Sequence, residues 1–153
     1  MSAGRISAGV ETPVGPFRLT GCDGVIVGAE WRAGPAPTTP LLRRALEQVT
    51  DWFAGRRQAF DLPLAPAEGF AARMRAAMLA IPYGETRTYG EIARDLGVSA
   101  QAVGQGCGAN PLPLIVPCHR VLAADGTGGY SGGGGVETKI ALLRHEGAGG
   151  FLL

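Results

Sequence analysis

The pattern of hydrophobic positions predicts short strands near the N-terminus. Phe17–Thr20 and Val25–Trp31 are two β-prone runs, and the turn-forming residues Cys22, Asp23 and Gly24 lie between them. A turn between two such runs is typical of a β-hairpin. We therefore predict a small β-sheet at the start of the chain.

A helix is predicted after a Pro-rich loop that extends from Gly34 to Pro40. Hydrophobic residues then recur at helical spacing, and Gly55 is placed to end the helix. They are Leu41, Leu42, Ala45, Leu46, Val49, Trp52 and Phe53. The Pro-containing stretch Leu62–Pro66 is interpreted as a linker, which divides the chain into an N-terminal α/β subdomain, 1–66, and a C-terminal domain, 67–153.

The second part is predicted to be mainly helical. Hydrophobic residues mark one helix face from Phe70 to Ile81, and Pro82 ends this helix. Thr88-Tyr89-Gly90-Glu91 fits a capping box, in which the threonine and glutamate side chains bond each other's free amides at a helix start. A helix from there to Leu96 is expected.

A third helix is predicted from the N-cap Ser99 to about Ala109, after a turn at Gly97-Val98. Two helices joined in this way resemble a helix-turn-helix, although an ordinary αα-hairpin explains the local pattern equally well. The predicted fold class is thus α+β: a small sheet-and-helix subdomain followed by a helical domain with a winged-helix-like helix-turn-helix.

Composition excludes several classes of protein. The 153 residues are 46% hydrophobic and 18% charged, which is normal for a globular protein. The formal net charge is +1, so charge neither indicates nor excludes a nucleic-acid partner. The N-terminus lacks the apolar core of a secretory signal and Leu112–Val116 is too short to span a membrane, so we expect a cytoplasmic protein without a membrane partner.

One short motif carries candidate chemistry. The apolar, strand-like run Leu114–Val116 leads directly into Pro117, Cys118, His119, Arg120 and Val121. A neighbouring imidazolium, arginine or helix terminus lowers the pKa of a thiol and makes it a nucleophile. Local sequence by itself favours a buried structural thiol at Cys118, and a metal site is not expected because the cysteines lack close partners.

A family resemblance changes this balance. The motifs that carry it are Ile81-Pro82-Tyr83-Gly84-Glu85-Thr86, Tyr89-Gly90-Glu91-Ile92-Ala93, Asn110-Pro111, Pro117-Cys118-His119-Arg120-Val121, Gly129-Tyr130-Ser131-Gly132 and His145-Glu146-Gly147. In order and spacing they resemble the O6-alkylguanine-DNA alkyltransferases, single-use DNA-repair proteins, across Phe70–Gly147. The N-terminal part resembles the family more weakly.

The resemblance implies roles for individual residues. Cys118 would accept the alkyl group, His119 would take its proton through a water, Glu146 would orient the histidine, and Asn110 would hydrogen-bond beside the site. The flipped guanine would meet Tyr89, Val121, Tyr130, Ser131 and the pocket-lining Cys107. No cofactor is implied, because the cysteine both attacks and keeps the alkyl group.

The implied partner is double-stranded DNA that carries O6-alkylguanine, bound by a monomer that associates with the nucleoid within the cytoplasm. Because O6 is inaccessible inside a duplex, the nucleotide must be extruded. By resemblance the second helix of the helix-turn-helix enters the minor groove. The expected DNA-binding residues are Thr88, Arg94, Ser99, Ala100, Gln101, Gly104 and Arg120.

The sequence departs from the family pattern at several positions. Gln101 stands where most members carry an arginine that fills the space of the extruded base, and Arg75 stands where a tryptophan is common. The glycine-rich loop that contains Ser131 is two residues longer than in many members. Cys107 replaces an apolar residue, and it is either a small buried hydrophobe or a second thiol near Cys118.

Three other functions remain open at this point. The chain could flag lesions for another pathway without transferring the alkyl group, although such proteins lack the acceptor cysteine. It could regulate transcription through the helix-turn-helix alone, which leaves Pro117–Val121 unexplained. It could also accept an alkyl group from a free base or another small molecule, which the glutamine at Gln101 makes worth testing.

Overall fold

The computed structural model describes residues 4–130 and 135–148. Its Cα positions fall into two compact units that divide between Ala65 and Pro66. Among the helices of the described residues, none combines the length and the apolar character that a membrane crossing requires.

The first unit contains an antiparallel three-stranded sheet in the order β1-β2-β3. The strands are β1 (Ile6–Thr12), β2 (Gly15–Cys22) and β3 (Val25–Glu30). The predicted hairpin is β2 and β3. Sequence patterning missed β1, which contains small residues and is held by its pairing with β2 and by a 2.8 Å hydrogen bond from the Gly9 amide to Pro35.

One helix, α1 (Pro40–Phe53), packs against β1 and β2. Its start is set locally: the Thr39 side chain caps the Leu42 amide, and Pro40 occupies the first turn, where its missing N–H is harmless. The helix ends before Gly55, which has a φ of 79°. Five of the seven residues of the predicted apolar face are buried, with Trp52 1% exposed, whereas Leu41 and Phe53 are half-buried.

The second unit is mainly helical. It contains α2 (Gly69–Leu79), α3 (Tyr89–Leu96), α4 (Ala100–Gly108) and α5 (Val136–His145), with a parallel pair of short strands, β4 (Arg87–Thr88) and β5 (Val121–Leu122). Helix α2 ends two residues before the predicted Ile81. The sheet in the first unit and the helices in this one confirm the α+β class.

Helices α3 and α4 form the predicted helix pair. The capping box at Thr88 and Glu91 is present in both directions. Gly97 ends α3 with a left-handed φ of 69°, and the Ser99 hydroxyl caps the Ala102 amide at the start of α4. The two helices contact each other extensively because only three residues join them.

The predicted strand at Leu114–Val116 is wrong. Leu114 has a left-handed φ of 72°, and the Val116 amide donates to Leu112 at 2.8 Å, so the run is a buried turn. All three residues of the run are buried. A run that is apolar at every position has no alternation of polar and apolar residues, so its pattern does not distinguish a strand from a buried turn. The cysteine lies at the start of the 3₁₀ turn that follows, Cys118–Arg120.

Candidate active site

A cavity of about 340 Å³ in the second unit contains the Cys118 side chain in its wall. Its lining residues come from α3, α4, the 3₁₀ turn and the chain before α5. They are Tyr89, Gly104, Cys107, Gly108, Cys118, Gly129 and Tyr130. Five residues assigned to the site from the sequence thus lie around one cavity: Tyr89, Gly104, Cys107, Cys118 and Tyr130.

The Cys118 thiol is 4% exposed. The pKa of Cys118 is raised from its ordinary value, chiefly by burial, and a hydrogen bond with the Asn110 side chain and the charge of Lys139 offset part of this rise. The sequence suggested that the adjacent His119 or Arg120 lowers this pKa. The structure assigns the effect to groups from other parts of the second unit instead.

Asn110 connects the cysteine to the turn before it. Its side-chain amide donates to the Val116 carbonyl at 3.0 Å, and its Oδ1 accepts from the Leu112 amide at 3.0 Å. These bonds fix the orientation of the Asn110 side chain, which also contacts the Cys118 thiol. Asn110 therefore positions the thiol as well as lowering its pKa.

His119, which follows Cys118 in the 3₁₀ turn, forms a buried pair with Glu146. The His119 Nε2 and the Glu146 Oε2 are 2.6 Å apart, and both side chains are 0% exposed. Burial favours the neutral form of Glu146, but hydrogen bonds from His119 and Arg120 lower its pKa to about 2. Burial lowers the pKa of His119, so its ring is neutral at pH 7. A neutral ring that donates from Nε2 has Nδ1 as its basic atom.

Arg120, which the resemblance assigned to DNA binding, is engaged inside the second unit. Its guanidinium is buried and donates to both carboxylate oxygens of Glu146, from Nε at 2.9 and 3.1 Å and from Nη2 at 2.9 Å. A further bond from Nη1 reaches the Ile81 carbonyl at 2.8 Å. Every nitrogen of the guanidinium is thus engaged inside the unit, and the side chain that was expected to contact DNA binds Glu146 and Ile81 in this structure.

Lys139 is a site residue that sequence reasoning missed. Its ammonium is buried on α5 and donates to the carbonyls of Val121 at 2.7 Å and Gly129 at 3.0 Å. It also lies 5.8 Å from the centre of the Tyr89 ring. One signal was available, since Lys139 is the only lysine in the chain. Its bond to Val121 ties β5 to the chain beside the cavity.

The glycines of α4 have two different roles. A Cβ added at Gly104 or Gly108 would meet nothing within 4 Å, whereas one at Gly106 would lie 2.8 Å from the Met74 side chain. Gly106 therefore allows α4 to pack against α2. Gly104 and Gly108 leave their part of the helix surface open.

The remaining predicted DNA-binding residues lie on α3 and α4 or at their starts. Arg94, Ser99, Ala100 and Gln101 are exposed, and the hydroxyls of Thr88 and Ser99 serve as helix caps. Ser131 lies outside the described residues. Within those residues no cluster of His, Cys, Asp or Glu is arranged to hold a metal.

The fold and the cavity define a class of protein: a helical unit with a closely joined helix pair that carries a cysteine in the wall of a cavity of about 340 Å³. Residues 69–148 match the family model described as 6-O-methylguanine DNA methyltransferase, DNA binding domain. The chain belongs to this family, and both its resemblance to the family and its α+β class are confirmed.

Individual relatives agree with this assignment. A methylated-DNA--protein-cysteine methyltransferase of Mycobacterium tuberculosis is 40% identical over 149 residues, 90% of this chain and 89% of the relative. A DNA base-flipping protein of Thermus thermophilus is 42% identical over 146 residues, 91% and 98% of the two chains. The crystal structure of Mycobacterium tuberculosis OGT in complex with DNA superposes with a TM-score of 0.80 at 39% identity, covering 95% and 96%.

Proposed function

We propose that this chain repairs DNA by moving the alkyl group of O6-alkylguanine onto the Sγ atom of Cys118, once per molecule. The observation that carries the proposal is the placement of Cys118 in the cavity wall, with His119 and Glu146 buried behind it. The relatives named as methylated-DNA--protein-cysteine methyltransferases support it.

The transfer is a displacement at the alkyl carbon. His119 accepts the thiol proton through a water, the sulfur forms a bond to the carbon, and the carbon–oxygen bond to O6 breaks. The guanine leaves with the bond electrons and takes a proton, for which the Tyr89 hydroxyl at the cavity wall is the proposed donor. A thioether does not release its alkyl group, so the protein is consumed and needs no cofactor.

Charged and hydrogen-bonding side chains stabilise the ionised groups that form during this reaction. The Glu146 carboxylate stabilises the imidazolium that His119 becomes. Lys139 and Asn110 stabilise the Cys118 thiolate, since both lower the pKa of the thiol. The roles of Tyr130, Cys107 and the Val121 backbone are to enclose the base.

The substrate is a base flipped out of duplex DNA. A cavity of 340 Å³ lies within the range of about 300–1,000 Å³ typical of small-ligand sites, which suits a single purine and no larger part of a duplex. We propose that the protein binds DNA as a monomer and that α4 enters the minor groove. Ser99 and Gln101 lie at the exposed start of α4, and the exposed Arg94 lies on α3. The DNA complex of the Mycobacterium tuberculosis relative supports DNA as the partner.

A direct test follows the methyl group. Incubation of the reduced protein with duplex DNA that contains O6-methylguanine is expected to place one methyl group on Cys118 and then to stop. Peptide mass spectrometry locates the methyl group, and Cys118→Ala is expected to retain DNA binding while losing transfer. Continued turnover, or methylation of Cys22 or Cys107 instead, would contradict the mechanism.

The name of the Thermus thermophilus relative favours a second candidate, base flipping that marks a lesion without transfer. The same incubation separates the two functions. Lesion-specific binding with an unmethylated Cys118 would support marking. The presence of Cys118 in the cavity favours transfer.

A further inference from the structure

The cavity that contains Cys118 also contains a second thiol. Cys107, in the last turn of α4, lines the same 340 Å³ space, and the two residues remain 8% and 4% exposed. Burial raises the pKa of Cys107 to about 12, and a negative charge on Cys118 contributes to this shift. The two sulfur atoms therefore interact electrostatically. Neither is in a disulfide, and the proposed transfer uses only Cys118.

The charge around this pair favours thiol chemistry over metal binding. The Lys139 ammonium interacts with both sulfur atoms, since the negative charge of either cysteine raises the pKa of the lysine. A fixed cation stabilises a thiolate but repels a metal ion. In the described part of the chain, no third ligand completes a metal site there. The chemistry left to two thiols in one cavity is oxidation.

Cys107 lies where α4 ends, between Gly106 and Gly108. Gly108 has open space where its Cβ would be. A disulfide requires its two Cβ atoms to lie about 3.8 Å apart, and the open space beside Gly108 is where the last turn of α4 can adjust to reach that distance.

We propose that a hydroperoxide converts Cys107 and Cys118 to a disulfide across the cavity, and that this bond reversibly protects the alkyl acceptor. The protective role rests on the proposed function, whereas the bond itself does not. The disulfide would occupy the space that the guanine needs, so the oxidised protein cannot accept an alkyl group until it is reduced.

The oxidation proceeds in two steps. The Cys118 thiolate attacks one oxygen of hydrogen peroxide and becomes a sulfenic acid, while the other oxygen leaves as hydroxide and takes up the proton that the thiol lost, which gives water. The Cys107 sulfur then attacks the Cys118 sulfur and expels a second water. Two thiols lose two electrons and two protons to one peroxide, and a thiol reductant restores both. We assign the first attack to Cys118, because the Asn110 hydrogen bond and the Lys139 charge favour its thiolate, whereas burial opposes the thiolate of either cysteine.

Without Cys107, further peroxide would carry Cys118 to the sulfinic acid, which ordinary thiol reductants do not reverse. The experiment exposes the reduced full-length protein to hydrogen peroxide and splits each sample. One half is digested without reductant for peptide mapping. The other half is reduced and assayed for methyl transfer from O6-methylguanine duplex DNA, relative to the same protein before oxidation.

The parent protein is expected to yield a Cys107–Cys118 cross-linked peptide and to regain its transfer capacity on reduction. Cys107→Ser and Cys107→Ala should give no such peptide, should accumulate Cys118 sulfinic acid, and should not recover. Cys22→Ser is the matched control and should behave as the parent does, because Cys22 lies in the first unit, on β2.

Three results would overturn the proposal: a cross-link that involves Cys22 or a second molecule, Cys118 sulfinic acid in the parent without any cross-link, or equal recovery of the Cys107 variants. Peptide mapping does not depend on transfer. A reduced protein that forms the cross-link but transfers no methyl group would therefore refute the proposed function alone.

Discussion

The two units of the chain differ in how they accommodate polar groups. In the first unit, the largest buried side chains are apolar, as at Phe17, Leu19 and Trp52. Its ion pairs, such as Arg56–Asp51 with 63% and 28% of the two side chains exposed, lie at the surface. In the second unit four ionisable groups are buried near one thiol: His119, Arg120, Lys139 and Glu146.

This difference separates stability from chemistry. Moving an ion out of water costs several kcal/mol, and the attraction between partners recovers this only when hydrogen bonds satisfy both. Every buried charge of the second unit has such bonds, and Cys118 is among the groups whose pKa they shift. The buried charges of the second unit, which cost free energy, therefore lie where they shift the pKa of a reactive group. The first unit has no comparable cluster among its described residues.

The largest expected effect comes from Glu146→Gln. The variant removes the charge that stabilises protonated His119, and we expect methyl transfer to slow by about 100- to 10,000-fold, the usual range for general acid–base assistance. The free energy of unfolding should fall by about 3 kcal/mol, because Arg120 is left buried without its counter-charge. Single-turnover kinetics and chemical denaturation measure the two effects.

Asp51→Asn in the first unit is the matched control, because it also removes one carboxylate from an arginine pair. Its pair is exposed, so the loss of stability should stay below about 1 kcal/mol and the rate should not change. Equal effects of the two variants would mean that burial does not distinguish the units.

The next effect concerns Lys139→Met, which keeps most of the side-chain volume and removes the cation. The pKa of Cys118 should rise, so transfer at neutral pH should slow by about tenfold, equivalent to one pKa unit. The loss should shrink as the pH is raised. The rate of thiol alkylation against pH, compared with that of the surface variant Arg57→Met, measures the shift. An unchanged dependence of the alkylation rate on pH would mean that Lys139 does not lower the pKa of Cys118.

Acidification should destabilise the second unit. Burial lowers the pKa of His119 from 6.5, so the unfolded chain binds this proton more readily and stability falls as the pH drops below 6.5. The pKa of Glu146 is lowered from 4.5 to about 2, so the stability that its carboxylate contributes is lost across that interval. Both titrations therefore lower the free energy of unfolding as the pH falls. Denaturation at a series of pH values should show a shallower decline between pH 4.5 and about 2 in Glu146→Gln, which lacks the titrating carboxylate.

The smallest effect is expected at Gln101, on the exposed and uncharged face of α4. An arginine here would stack and hydrogen-bond more strongly in the gap left by the flipped base. Gln101→Arg should therefore speed duplex repair a few-fold, while the reaction with free O6-benzylguanine stays unchanged. If Gln101→Ala repairs duplex DNA as fast as the parent, another side chain, with Gln105 the nearest, must fill the gap.

Local features of the second unit were predictable from sequence because the interactions that set them span only a few residues. The capping box joins Thr88 and Glu91, three positions apart, and the Ser99 cap reaches only to Ala102. Gly97 ends α3 through its own backbone conformation. The motif around Cys118 likewise identified the family and the candidate nucleophile, since it depends on the order of neighbouring residues.

The sequence by itself thus determined the α+β class, the helix pair and the candidate nucleophile. Only the tertiary structure decided which charges surround that nucleophile. Arg120 was assigned to DNA but is buried against Glu146, 26 positions away, and Lys139 reaches Val121 across 18 positions. The physical reason is that the burial and the pKa of a side chain depend on the groups that surround it in space. The periodicity of a segment does not show which distant segments pack against that segment.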